Sequence, residues 1–493
     1  MDGKPAARKG DLTMYGGPIT DGSPNVLIGT QGGVACSVCP GGVATDNPVN
    51  PQLGAKVLLG EEDLDFALPG ALPLVWQRQY SSYVNAEHGA ACGLLGHGWH
   101  LLGEITLELR ADVILLFDAA GRVITFEEAL APGEDQYSRS EDIWLLRGGK
   151  DEQGHRPNWA RQERFAHVAP ELAGDAQCIL AASGSADVFW VFSPVPDASK
   201  AKTANRTAGD KAITAEAILA APSQHWRLSA QVDRFGRSQR YAYSTGDEAD
   251  GQRRARKTPS LPAGRLIAIT DGVGRRYRLA HQRIHSSHDQ QGPWAADDGW
   301  RLIGVALEHD PLHALPEPIV LVRYGYDGQG QLATVHDRAG ELVREFEWEQ
   351  HRISAHRIKG GPWHRYRYGG QEPGLKVVAH TNEEGLDYTF GYQNEDPSPD
   401  GKPRHSAVVT DSLGRVQTYR FEGAAGLNRL IEHHRADGSV MRYQYDGFGR
   451  RHASIDPLGR ATHLLLDGAG NITGSVRPGD AGHPSGIRTR QDY

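Results

Sequence analysis

Cys36 and Cys39 stand in the stretch CSVC, with two residues between them. Two thiolates at this spacing make half of a tetrahedral zinc site. No His occurs before His88, so the other ligands would have to come from distant residues. A redox pair would want a helix N-terminus within a βαβ unit, and neither is visible. Two small buried thiols are the plainest account. Cys92 and Cys178 are solitary and read as core residues.

Carboxylates crowd GEEDLDF, from Gly60 to Phe66. Glycoside hydrolysis needs two carboxyl groups facing each other across a substrate. Strand alternation puts Glu61, Asp63 and Asp65 on one face, with Glu62 and Leu64 opposite. The expectation is a solvated strand edge. The 22 His are scattered, and His288, His433 and His434 lie in polar surroundings. No His-Glu-x-x-His spacing, Gly-x-Ser-x-Gly elbow or Gly-Lys-Ser/Thr loop appears, so no catalytic residue is assigned. The histidines read as surface polar residues.

A different pattern dominates the chain. Asp-x-x-Gly recurs along the chain, with nine copies starting at Asp118, Asp233, Asp271, Asp327, Asp337, Asp411, Asp446, Asp456 and Asp467. Asp at the first position accepts backbone N–H groups two and three residues on. Gly at the fourth takes positive φ and closes a type I turn with a bulge. In DPLG, Pro457 suits the second turn position, so Asp456 reads as a turn residue. Arg often follows the Gly: Arg122, Arg237, Arg275, Arg415, Arg450 and Arg460. A nucleic-acid groove would need such cations clustered without compensation, and each lies beside a repeat Asp. Local pairing is expected.

These turns need strands between them. In RYQYD, Tyr443 and Tyr445 share one face, and Arg442 and Gln444 share the other. Tyr419 and Phe421, and Tyr324 and Tyr326, repeat the alternation. A turn plus a strand takes about ten residues. One such arm cannot bury its own apolar face, so the arms must stack into a continuous sheet. RADVILLFDAAGRVITFEE, from Arg110 to Glu128, reads as one hairpin.

The bulk numbers agree. The 493 residues exceed one ordinary core, and 60 Gly at 39% hydrophobic content favour turn-dense β structure. A net charge of -8 does not mark a nucleic-acid binder. No apolar run is long enough to span a membrane. Four Cys do not make a disulfide scaffold. The first residues lack an apolar signal segment, so synthesis in the cytosol is expected, with export by a route that reads a folded domain.

YGYDGQGQLATVHDRAGELV and YQYDGFGRRHASIDPLGRAT resemble the YD repeat of Rhs proteins, over roughly Trp226 to Val476. NPVNPQLGAKVLLGEEDLDFALPGALPLVWQRQYSSY, from Asn47 to Tyr83, and LLGHGWHL, from Leu94 to Leu101, resemble the opening of an Rhs shell. GKPAARKGDLTMYGGPITDGSPNVLIG, from Gly3 to Gly29, resembles part of a PAAR domain, whose tip often binds zinc. The resemblance implies an all-β spiral shell that encloses a C-terminal toxin domain absent here. It also implies a PAAR-like tip docked on the VgrG spike protein of the type VI secretion system, a chaperone and a cognate immunity protein. Zinc at Cys36 and Cys39 would belong to that tip.

The expected organisation is a partial PAAR-like segment over 1–46, a shell-opening region over 47–225 and a YD-repeat shell over 226–493. An exposed, partly helical insertion is expected near 194–224, which is rich in Ala and Lys and has no aromatic residue. Two further loops are expected at 285–299 and 393–406. The expected role is packaging and delivery of a toxin. The alternative is a surface-associated YD-repeat protein that binds carbohydrate through exposed aromatics.

Overall fold

The computed structural model describes residues 49–490 apart from 111–112, 119–120, 127, 139–140, 151–153, 184–186, 196–223, 247–260, 286–291, 372–373, 424–427, 467–471 and 480–486. The PAAR-like stretch, Cys36, Cys39, His288, most of the 194–224 insertion and the tetrad at Asp467 lie outside the described residues.

Over the described residues the chain is all-β, built around one antiparallel sheet of 27 strands. From Asp135–Ser138 to Ile487–Arg490 each strand pairs with the next in sequence. A three-strand meander, Thr106–Leu109, Ile114–Phe117 and Val123–Phe126, contains the expected hairpin. It joins at the ten-residue strand Gln224–Asp233, which the sheet uses as a fork. Gln224 to Arg227 pair with Leu109 to Thr106, and Ala230 to Val232 pair with Arg240 to Ser238. The loop between Asp387–Glu395 and Arg404–Thr410 is where the sequence places it.

The turns obey one rule. At Asp411, Asp446 and Asp456 the N–H of the turn Gly donates to the carbonyl of the Asp at 2.9 Å. Gly414, Gly449 and Gly459 hold φ of 73, 76 and 78°, the left-handed region that Gly enters without a Cβ clash. The Asp carboxylate accepts N–H groups two and four residues on, as from Phe448 and Arg450 to Asp446. The second contact is one residue later than expected, because the Gly bulge turns the third N–H toward the Asp carbonyl. The other carboxylate oxygen receives Arg Nε in six turns, Asp118–Arg122, Asp233–Arg237, Asp271–Arg275, Asp411–Arg415, Asp446–Arg450 and Asp456–Arg460. The expected local pairing is therefore present.

The strands carry a second rule that concerns curvature. The pairing skips one residue at Ser229, Ile267, Ile303, Ala333, Ser354, Val378 and Ile431. Each skip is a β-bulge, which bends the strand and increases its twist. The carbonyl just before each of these seven bulges is approached by a side chain from the next strand. Tyr243 reaches Leu228, Tyr326 reaches Leu302, Tyr368 reaches Ile353, Tyr392 reaches Val377 and Tyr445 reaches Leu430. Trp348 Nε1 donates to Leu332, and His281 Nε2 lies against the carbonyl of Leu266. All seven contacts fall between 2.5 and 3.0 Å.

The main core joins early and late residues. Trp76, Tyr80, Leu95 and Trp99 pack with Leu228, Tyr277, Leu302, Val335 and Ile353. Val49 packs further along the sheet with Tyr366, Val377 and Phe390. Residues 49–105, with their own small sheets of four and two strands, thus lie along one face of the large sheet. A separate cluster, with Trp159, Phe165 and Ala173 at its centre, packs on Leu180, Phe189 and Val191.

Candidate functional site

The strand Leu74–Gln77 continues through Arg78 toward Tyr80, and Leu74, Trp76, Arg78 and Tyr80 are all buried. Alternation therefore places an Arg on an apolar face. Its guanidinium meets two carboxylates. Arg78 Nε lies 3.0 Å from both oxygens of Asp65, and Arg78 Nη1 lies 3.4 Å from Asp63. Arg344, from the strand Leu342–Glu349, reaches Asp63 at 3.1 Å. Tyr324 donates to Asp65 at 2.5 Å and accepts from Trp76 Nε1 at 2.9 Å. Asp63, Arg78 and Arg344 are 3% exposed or less.

This corrects the expected solvated edge. Glu61 and Glu62 face solvent, but the short 3-10 turn Glu61–Asp63 rotates Asp63 inward, and Asp65 follows. Burial raises the Asp65 carboxyl above its usual range, against the opposing pull of Arg78. Burial pulls Arg78 down, but Asp65 and Asp63 reverse this and hold it above its usual value. The arrangement ties the early segment to strands far along the chain. It holds charge in place, and each carboxylate faces an Arg or Tyr partner.

Backbone groups extend the tie. Residues beside four bulges donate their N–H to the early segment. Leu228 reaches Ile105 at 3.3 Å, Leu302 reaches Leu94 at 2.8 Å and Val377 reaches Gly54 at 2.8 Å. Ile353 reaches the Tyr80 hydroxyl at 3.0 Å. Arg275 donates to the Pro69 carbonyl at 2.6 Å, Gln239 to Pro73 at 2.8 Å and Gln52 to Asn428 at 3.3 Å. Arg352 pairs with Glu87.

Histidine also enters the interior. Lys56 is buried, with its ammonium 4.5 Å from the centre of the Tyr366 ring. Beside it, Tyr366 stacks on His380 at 4.5 Å and His380 lies 5.3 Å from His364. His356 Nε2 lies 3.2 Å from the Tyr366 hydroxyl. Burial pushes His380 down to about 3, and Lys56 and His364 push the same way. Burial, then Lys56 and Arg344, hold His356 well below its usual value. The expectation of surface histidines fails here, because these rings stack across adjacent strands. His433 and His434 are half-buried, and His433 stacks on Tyr419 at 4.4 Å.

A last cluster involves Cys92, which the sequence left as a lone core residue. Its sulfur, His97 and Asp297 bring their ligand atoms within 4.8 Å of one another. Burial pushes the Cys92 thiol up to about 12. Cys92 is half-buried, whereas Cys178 is buried as expected.

Sequence reasoning missed Arg78, Arg344, Lys56, Tyr324, His97 and Asp297. An Arg within the apolar alternation of Leu74 to Tyr80 was the available signal for the first. The others required knowing which strands face the early segment.

A family described as "Domain of unknown function (DUF6531)" matches residues 46–126, and one described as "RHS Repeat" matches residues 426–460. "Toxin protein Tse5" of Pseudomonas aeruginosa is 35% identical over 490 residues, covering 98% of this chain and 32% of its own length. "Double-stranded DNA deaminase toxin A" of Burkholderia cenocepacia is 27% identical over 346 residues, covering 70% of this chain and 18% of its own. The chain thus spans about a third or less of the curated relatives it matches. The solved structure "Crystal Structure of TcdB2-TccC3-TEV" aligns at a TM-score of 0.28 and 12% identity, covering 77% of this chain and 19% of that one.

Two outcomes follow from this geometry. Arg78→Met removes the cation between Asp63 and Asp65, and leaving a buried charge uncompensated costs about 3–5 kcal/mol. Urea titration followed by Trp fluorescence should show that loss, and an unchanged midpoint would contradict the assignment. The second outcome is acid sensitivity. Histidine in an unfolded chain takes a proton below about pH 6.5, whereas His356 and His380 resist it when folded. Their contribution is full above that pH and is lost as pH falls toward the folded values. A His356→Gln/His380→Gln variant should therefore lose less stability than the parent between about pH 6.5 and pH 5. Equal losses would refute the buried neutral state.

Proposed function

We propose, for a chain that belongs to the RHS-repeat proteins, that it forms the N-terminal part of a type VI secretion effector and walls in a C-terminal toxin. The large sheet is the wall. Residues 49–105 are its brace, clamped by the buried charges of Asp63, Asp65, Arg78 and Arg344. The observation that carries this reading is the continuity of that wall. Neighbouring strands pair in sequence, and the turn carboxylates are engaged in fixing their own corners. Toxic chemistry then belongs to another part of the full-length protein. The identity to a named toxin supports the reading along nearly the whole chain.

In this reading the N-terminal segment docks on the trimeric spike protein VgrG, and delivery uses the secretion machine. A chaperone would guard the assembly, and a cognate immunity protein would protect the producing cell. Among the described residues no helix is long and apolar enough to cross a membrane.

The test is capture of the purified full chain on immobilised VgrG from a bacterium that encodes both, run beside a glycan panel. Saturable retention by VgrG without glycan binding is the expected result. Glycan binding without retention would support a surface carbohydrate-binding protein and overturn the secretion reading.

A further inference from the structure

His97 occupies an unusual position. It sits between Gly96 and Gly98, whose φ angles are 106 and 82°, so the backbone turns tightly and projects the ring inward. The ring is 3% exposed, and neither nitrogen has a hydrogen-bond partner. A buried, unpaired polar group is unfavourable unless something answers it. His97 Nε2 points at Asp297 Oδ2 from 3.7 Å, too far for a hydrogen bond. Cys92 Sγ completes a group whose ligand atoms all lie within 4.8 Å of one another.

We propose that Cys92, His97 and Asp297 bind a divalent transition-metal ion, with zinc the best fit, and that a water completes the tetrahedron. Zinc is held tetrahedrally by thiolate, imidazole and carboxylate. Bonds of about 2.0–2.1 Å to N and O would set those atoms roughly 3.3–3.5 Å apart. The observed 3.7 Å requires only a small closure. His285 Nε2 lies 3.2 Å from the same carboxylate oxygen and 3.3 Å from Arg301 Nη2, so it helps hold Asp297 from the side. On binding, the Cys92 thiol releases its proton to solvent as the metal–sulfur bond forms.

The surroundings are compatible with this role. Arg301 donates to both oxygens of Asp297, and the Gly299 N–H donates to Oδ1 at 2.9 Å. These contacts orient the carboxylate, as outer-sphere donors do around metal ligands. The positive charge of Arg301 opposes the ion, and the two anionic ligands offset it. Trp294 meets the His97 ring edge-on at 4.7 Å and shields the cluster. Cys92 and His97 lie in the early segment, while His285 and Asp297 flank the loop before the strand Trp300–His309. The ion would pin one to the other, beside the Leu302 to Leu94 hydrogen bond.

The test uses the full chain purified without chelator, with metal measured by mass spectrometry and cobalt(II) substituted for zinc. About one equivalent of metal per chain is expected. Cobalt should give the visible absorption and sulfur charge-transfer band of a tetrahedral thiolate site. Cys92→Ser should abolish the charge-transfer band, and His97→Asn should lower the zinc content. Cys36→Ser/Cys39→Ser should leave the charge-transfer band unchanged, which separates this site from the CSVC pair. The wild-type cobalt spectrum requires no variant to fold. Lack of a tetrahedral cobalt spectrum, or its loss with Cys36 and Cys39 but not with Cys92, would overturn the site.

Discussion

A β-bulge removes a residue from the ladder, and in a buried wall its backbone groups still need partners. This constraint organises the molecule. Bulges recur along the repeat strands, and at seven of them a Tyr, Trp or His from the next strand meets the carbonyl beside the bulge. At four of them the N–H is answered by the early segment instead. Leu228, Leu302, Ile353 and Val377 are fully buried, so water cannot substitute. The bulges that bend the sheet therefore also create the sites onto which residues 49–105 dock.

The buried charges act on the same contact. Desolvating Asp63, Asp65, Arg78 and Arg344 is expensive, and buried ion pairs are weak evidence for net stability. Their geometry is demanding, however, and an alternative register of the early segment would strand a charge. We read the cluster as a device that selects one docking position, while apolar packing of Trp76, Tyr80 and Trp99 supplies the driving force. The stacked histidines beside Lys56 extend the buried polar strip toward later strands.

Much of the fold was legible in the sequence. Asp-x-x-Gly fixes the corners because Asp and Gly satisfy local backbone demands, and the alternation of Tyr419, Phe421 and their neighbours fixes the faces. The Arg after six of the turns was also readable as a local partner. The contacts across the wall were not. Asp63 and Asp65 look solvated until the strand carrying Arg344 is known to lie above them. Local alternation likewise assigns Tyr368 an apolar role, although its hydroxyl meets the Ile353 carbonyl on the preceding strand. His97 and Asp297 lie on segments distant in sequence, so no spacing motif could have joined them. Cys36, Cys39 and the 194–224 insertion contribute nothing to this comparison, since the described residues begin at 49 and omit 196–223.

Amide hydrogen exchange at Ile353 addresses the docking constraint most directly, because its N–H leaves the sheet to reach the Tyr80 hydroxyl. The account predicts that this amide exchanges among the slowest in the protein. It also predicts that Tyr80→Phe accelerates exchange there while leaving Val335 and Phe346 protected. Rapid exchange at Ile353 in the parent protein, or no response to Tyr80→Phe, would contradict the claim that the early segment completes the bulged wall.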